Sequence, residues 1–272
     1  VQWYDKAGGT LLGGGGKFEY TYIPGTMQQP YAEARALING ERVTLIVSGG
    51  KINAGYGYEA EIVGISGVSA SNYALPVTGI KVVFDILPSP LAGKIVWSSE
   101  PIYYDGSEQK PRAYYYDADG NEYEFTNVET DRASVNAGKY TASVSIDDIN
   151  YTLTGETSKT FEILARKVCV EIGDMEVRYG ETPNMSAVTW RVTSGSFLAG
   201  ESYRITFSAG AVSGLGEYKI SGTFSSANAS NYEVIFTGSW ASAGADNGRY
   251  GTLKVVRAVY DMSKVTYAGT ET

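Results

Sequence analysis

Histidine is absent from all 272 residues. Its absence removes Ser-His-Asp and Cys-His catalysis, together with every histidine-based zinc or iron site. An enzyme built on this chain has to work with carboxylates, lysine or tyrosine. Cysteine occurs once, at Cys169, so no internal disulfide can form and stability must come from packing. No run of about 18 apolar residues exists, which leaves no candidate for a membrane-spanning helix. Positive charge is scarce as well: 22 Lys and Arg face 30 Asp and Glu, for a net charge of -8, and no basic cluster interrupts that field. Polyanions are repelled, so nucleic acid is not an expected partner and neither is membrane insertion.

What is abundant points one way. The chain holds 33 Gly and 22 Tyr among recurrent Val, Ile, Thr and Ser, while Leu, Ala, Glu and Lys at helical spacing are missing. Aromatic and β-branched residues suit a pleated, half-buried surface, so the expected class is all-β. The length suits two or three compact domains, each burying its own core.

Three landmarks recur in order. A tight turn precedes a strand-opening Tyr at Asn53-Ala54-Gly55 before Tyr58, Asn136-Ala137-Gly138 before Tyr140, and Gly214-Leu215-Gly216 before Tyr218. An Asn-Tyr pair follows each time, at Asn72-Tyr73, Asn150-Tyr151 and Asn231-Tyr232. A closing strand ends each set, at residues 82–87, 160–164 and 251–256. Gly55 and Gly138 are 83 residues apart, Gly138 and Gly216 are 78 apart, and such drift is what loop insertions between fixed strands produce. The landmarks divide the chain into a divergent first repeat at 1–90, a second at 91–166 and a third at 167–257. Residues 258–272 read as the start of a truncated fourth. Short strands separated by turn chemistry, with no helix among them, predict an antiparallel sandwich for each repeat, and the short, Pro-bearing junctions predict an elongated, semi-rigid monomer.

Tyr104-Asp105-Gly106, the run from Val135 to Tyr140, Asn150-Tyr151 and Phe161-Glu162-Ile163 resemble the MBG-type and YDG-type immunoglobulin-like repeats of bacterial surface proteins. Tyr179-Gly180-Glu181-Thr182-Pro183 with Asn231-Tyr232 resembles the YGX-type variant. In the first repeat Tyr22-Ile23-Pro24-Gly25-Thr26 replaces the Tyr-Asp-Gly start. The resemblance implies three tandem immunoglobulin-like sandwiches on the bacterial cell surface or in a secreted protein, acting as stalk or adhesive modules. It implies no catalytic residue, since the shared positions are turn and core positions.

Few residues suggest chemistry. Tyr114, Tyr115 and Tyr116 offer a stacking platform for an extracellular glycan; on a strand, Tyr114 and Tyr116 would share one face and Tyr115 the other. Trp97, Trp190 and Trp240 are further stacking candidates. Asp117, Asp119 and Asn121 resemble the opening of a calcium loop, but Gly120 sits at the fourth place instead of the sixth and Val128 occupies the twelfth. The same Asp and Asn residues favour a tight turn for their own reasons, so calcium is the second reading of this segment and no cofactor the first. Glu122, Glu124, Glu129 and Asp131 lie close in sequence, as a carboxylate glycosidase would require, and read otherwise as a solvated strand face. Leu75-Pro76-Val77-Thr78-Gly79 matches a wall-anchoring signal without the apolar span and basic tail that should follow. Gly13 to Lys17 lacks the Ser/Thr of a phosphate loop and reads as a hairpin tip. The expected function is a non-catalytic stalk or adhesive region, and the alternative is a glycan- or host-protein-binding module.

Overall fold

A computed structural model describes residues 1–12, 16–78, 80–241, 248–261 and 263. The protein is all-β: 22 strands and four short 3-10 turns make up its regular structure among those residues. The turn at Gly13 to Gly15, Gly79 of the anchoring-like segment, and Val265 to Gly269 of the expected fourth repeat lie outside the described residues.

By compactness the chain divides into two units. The first comprises Val1–Ser98, Arg112–Glu129 and Ser143–Lys159; the second comprises Ser99–Pro111, Thr130–Ala142 and Thr160–Thr272. The stretch at 91–166 is thus shared between them.

In the first unit, β1 (Gln2–Tyr4) pairs with β3 (Tyr31–Glu33), and β2 (Phe18–Thr21), β4 (Thr44–Ser48), β5 (Gly55–Ser66) and β6 (Lys81–Leu87) form a sheet in the order β2-β6-β5-β4. On β6, Val82, Phe84 and Ile86 face the core while Lys81 and Val83 are exposed, and Asp85 on the other face is buried too. The three core-facing residues join Trp3, Phe18, Ala32, Leu45, Ala60 and Ile62 in one core drawn from both sheets. The unit continues with β7 (Ser89–Pro90) and β8 (Gly93–Trp97), then β10 (Ala113–Asp117) and β11 (Glu122–Glu124), and finally β14 (Tyr151–Thr152). The hairpin expected around Asp119-Gly120 is present, with β10 between β8 and β11. Strand β7 pairs with β14.

The second unit opens with β9 (Ile102–Tyr103). With β12 (Glu129–Thr130), β13 (Gly138–Ser143) and β15 (Ser158–Leu164) it makes a sheet in the order β9-β15-β13-β12. Next come β16 (Arg166–Ile172), β17 (Met175–Arg178), β18 (Trp190–Ser194), β19 (Tyr203–Ala209), β20 (Gly216–Ser226), β21 (Tyr232–Gly238) and β22 (Gly251–Val256). They build a three-stranded sheet β18-β16-β21 and a four-stranded sheet β17-β22-β20-β19. Ile172, Val188, Ile220 and Leu253 form the centre of its core.

The three four-stranded sheets share one order: opening strand, closing strand, the strand after the tight turn, and the strand before it. In each, the amide after the opening strand belongs to a tyrosine that donates to the last carbonyl region of the closing strand: Tyr22 to Leu87 at 2.8 Å, Tyr104 to Leu164 at 2.9 Å and Tyr179 to Val256 at 2.8 Å. The sheets are not purely antiparallel, as the sequence had suggested. Opening and closing strands run parallel in all three, and β7–β14 and β16–β21 are parallel too. The partners in each case are separated by a long stretch of chain, which is what a parallel pair requires.

The alternation on β6 makes a direct test. Phe84→Ala should cost about 3–5 kcal/mol of unfolding free energy, and Val83→Ala, one residue away on the exposed face, less than about 1 kcal/mol, by denaturant titration.

Candidate functional site

Strand β10 carries the three tyrosines, and its register fixes their faces. Tyr114 lies opposite Val96 and Glu124, and Tyr116 opposite Lys94 and Glu122, so these six side chains share one face of the β8-β10-β11 sheet. The Tyr116 hydroxyl donates to Glu122, its ring receives the Lys94 ammonium at 5.5 Å, and Arg112 pairs with Glu124 at 3.7 Å. Tyr115 faces the other way, opposite Ile95 and Tyr123, on the side where Ala113 and Trp97 are buried. All three tyrosines are half-buried. The open face therefore presents two aromatic rings rather than three, fringed by charges of both signs. Trp97 is spent on the core, with its indole N–H on the Glu156 carbonyl at 2.8 Å; Trp190 is exposed on β18, and Trp240 lies under the Lys219 ammonium at 6.0 Å.

Asp117, Asp119 and Asn121 sit in the turn between β10 and β11. Asp117 Oδ1 accepts from the Asp119 and Asn121 amides at 3.0 and 2.9 Å, and Oδ2 accepts from Asn121 Nδ2 at 2.9 Å and the Tyr123 hydroxyl at 3.3 Å. These donors, Asn121 first, hold the Asp117 carboxyl below its ordinary range. What converges on Asp117 is hydrogen-bond donors, which is the pattern of a turn cap. Among the described residues no three carboxylate, cysteine or histidine side chains are grouped as a metal would need.

The remaining acids are engaged locally. Glu122 and Glu124 occupy the tyrosine face, Glu129 is exposed, and Asp131 accepts from the Thr141 amide at 2.9 Å and from Arg132. Asp85 is a buried carboxylate on β6; it accepts from Lys17 and from the Gly57 amide at 2.8 Å, and these bonds, Lys17 first, depress its pKa.

A second polar arrangement occurs twice and uses the landmark residues. Within the first unit, the Ala54 amide of the Asn53-Ala54-Gly55 turn donates to Asn150 Oδ1 at 2.8 Å, and Asn150 Nδ2 reaches Asn53 Oδ1 at 3.4 Å. Within the second unit, the Ala137 amide donates to Asn231 Oδ1 at 2.8 Å, and Asn231 Nδ2 donates to Asn136 Oδ1 at 2.8 Å. Each turn is thus clasped not by the Asn-Tyr pair that follows it directly but by the asparagine of the pair after that. Asn231 is 1% exposed. A tyrosine pair seals each clasp edge to face, Tyr22 against Tyr151 at 5.4 Å and Tyr104 against Tyr232 at 5.7 Å between centroids. Internally, each turn is braced by its own strand-opening tyrosine, since Tyr58, Tyr140 and Tyr218 donate to carbonyls of Asn53 and Ala54, Asn136, and Gly214 respectively.

The second clasp has a carboxylate behind it. Glu201 Oε1 accepts from the Tyr104 hydroxyl and from Asn228 Nδ2 at 2.9 Å, and Oε2 accepts from the Tyr232 hydroxyl at 2.5 Å. The Leu198 amide in turn donates to the Tyr232 hydroxyl at 3.0 Å. The two tyrosine bonds lower the Glu201 pKa, while burial, with Glu201 second, pushes Tyr232 up to about 12. The same corner is built in the first unit, where Tyr73 donates to Glu41 Oε2 at 2.7 Å, the Ile38 amide donates to the Tyr73 hydroxyl at 3.1 Å, and Asn72 Nδ2 reaches Glu41 Oε1 at 3.3 Å.

The corner escapes a reading of the sequence that follows only the turns and the Asn-Tyr pairs. Its signal is present all the same: Ile38-Asn39-Gly40-Glu41 and Leu198-Ala199-Gly200-Glu201 are aliphatic-x-Gly-Glu segments, with Glu 32 and 31 residues ahead of the Tyr it holds. The glycine is required, since Gly40 and Gly200 have φ of 72° and 87°. No family model matches the chain, and no curated protein or solved structure matches it either.

Asn231→Ala leaves the Ala137 amide without its acceptor and should cost about 1–3 kcal/mol in denaturant unfolding, with Asn150→Ala, at a half-buried site, costing less. Glu201 has a folded-state pKa below its unfolded value, so its contribution is complete above about pH 4.3 and is lost as pH falls through the lower folded value. The stability gap between the native protein and Glu201→Gln should be widest near neutrality and close in acid.

Proposed function

We propose that the chain is three immunoglobulin-like β-sandwich repeats in series, of the MBG, YDG and YGX kind. In this reading it serves as a non-catalytic stalk or adhesive region of a bacterial surface or secreted protein. The observation that carries it is the clasp: the same turn amide, asparagine and tyrosine pair recur at two successive positions along the chain. The shared strand order of the three four-stranded sheets supports the same reading. A device that spends its polar side chains on fixing one repeat to the next suits transmission of position and load, the demand on a repeat array.

Small-angle scattering tests this proposal directly. Repeats in series require a maximum dimension well beyond that of a sphere of the same mass, and a distance distribution typical of a compact globule would overturn the stalk reading.

The tyrosine face favours one alternative, a glycan-binding module. Tyr114 and Tyr116 share a face with Lys94, Glu122 and Glu124, combining aromatic rings with hydrogen-bonding charges. If this face binds, a glycan identified by array screening should lose about tenfold in affinity with Tyr114→Ala. Tyr115→Ala, on the opposite side, should change it far less. Equal losses for the two variants would place binding elsewhere.

A further inference from the structure

The first strand of each landmark stretch, β1, β8 and β16, pairs antiparallel with a later strand, β3, β10 and β18 respectively. That partner strand is finished differently each time. Strand β3 packs against β4, and Ala32 and Leu45 are 2% and 8% exposed in one core. Strand β10 carries a further strand, β11, on its outer edge. Strand β18 has no strand beyond it among the described residues, and β19, which lines the same clefts, is likewise the last strand of its own sheet.

The seam between β18 and β19 lies within the second unit and is apolar and open. Register sets Trp190 opposite Ile172 and Val192 opposite Val170, so both turn to the side of their sheet on which Ile172 and Val170 are buried. Tyr203 and Ile205 share a face of β19 with Phe207, which packs on the core. Although they face inward, Trp190, Val192 and Tyr203 are 39%, 37% and 41% exposed. Two clefts follow the seam: one of about 450 Å³ is lined by Trp190, Ile205 and Phe207, and one of about 550 Å³ by Val192, Phe197 and Tyr203. Arg204 is exposed at the rim of the first, with no ion-pair partner among the described residues. Arg191 is exposed on the outer face of β18, where Glu171 meets it at 2.7 Å. The carboxylate in the second cleft, Glu201, is already engaged by Tyr104, Tyr232 and Asn228.

We infer that this seam accepts an extended segment of a partner protein, added to the free edge of β18, in which apolar residues alternate with acids. A strand is the occupant because it meets both a bare strand edge and apolar side chains set at a two-residue period. Alternation with acids follows from the two arginines, and from the strand already seated on the corresponding edge of β10. In residues 121–127, Tyr123 and Phe125 alternate with Glu122 and Glu124. There the Phe125 amide donates to the Ala113 carbonyl at 2.9 Å, Tyr123 lies against Tyr115, and Glu124 pairs with Arg112. A segment of the same kind in the seam lays its apolar residues over Trp190 and Val192 and brings its acids to Arg191 and Arg204. The site belongs to one unit and is independent of the stalk reading.

A fluorescein-labelled synthetic peptide with the sequence of residues 121–127 is the probe, titrated with the whole chain and read by fluorescence anisotropy. It should bind with a Kd of about 0.1–1 mM, and the same peptide with both acids replaced by lysine about tenfold more weakly. Trp190→Ala should weaken binding about tenfold and Arg204→Gln about threefold, both with the native circular dichroism spectrum because both side chains are exposed. Bound peptide should also slow deuterium exchange of the amides in Trp190–Ser194. Absence of binding at about 2 mM chain would overturn the proposal, as would equal affinity for the lysine peptide or full affinity in Trp190→Ala. Self-association of the chain alone that Trp190→Ala abolishes would give the seam to a second copy and overturn the partner segment as its occupant.

Discussion

A tight turn leaves a backbone N–H that no neighbouring strand can accept, and burying it unpaired costs about 1–3 kcal/mol. The arrangement of this chain depends on how that requirement is met. The Ala54 and Ala137 amides are each satisfied by an asparagine side chain from far downstream, 96 and 94 residues away. A local feature of one stretch is thereby completed only when a later one has folded. Asparagine suits the task because its amide accepts from the turn with one atom and donates to the turn's own asparagine with the other; aspartate supplies no such donor. The edge-to-face tyrosine pairs add apolar contact to these directional bonds, and the two together fix the pose of what they join.

This coupling bears on where the chain divides. The landmarks separate stretches at about 90 and 166, whereas compactness groups Ser143–Lys159 with the first unit and Thr130–Ala142 with the second. Asn150 lies in the former and Asn136 in the latter, so each clasp is internal to one unit. Boundaries drawn from sequence similarity and boundaries drawn from packing differ for that reason. The landmark residues themselves are the ones that join stretches of chain 96 and 94 residues apart.

Much of the fold is legible in the sequence, and the exceptions have physical causes. Alternating Val82, Phe84 and Ile86 announces a strand with an apolar face on the core, and Asp119-Gly120 between tyrosine-rich runs announces a hairpin; both are present. Parallel pairing of β2 with β6 is not legible, because it depends on which sheet edge remains open after distant strands have paired. The faces of Tyr114 and Tyr115 follow from the two-residue period alone. The Asp117 segment shows the limit of counting oxygens: a calcium loop and a capped turn share a composition, and they differ in whether acceptors converge on a cation or donors converge on one carboxylate. The Glu201 corner was hidden because its parts are about 30 residues apart and only the short aliphatic-x-Gly-Glu segment marks it.

The third turn keeps its shape although, among the described residues, the Leu215 amide has no partner. At Gly214 the asparagine of the first two turns is gone, yet the Tyr218 hydroxyl still donates to the Gly214 carbonyl at 2.9 Å and accepts the Gly214 amide at 3.0 Å. The turn is held from within by the tyrosine that opens its strand, whereas the first two turns also engage the amide of their middle residue, Ala54 or Ala137. Shape and attachment are therefore supplied by separate atoms. Asn136 and Gly214 differ at the first position of their turns, while the tyrosine brace is kept in both. In a chain with no histidine and one cysteine, single polar side chains, Asn150 and Asn231, complete the first two turns.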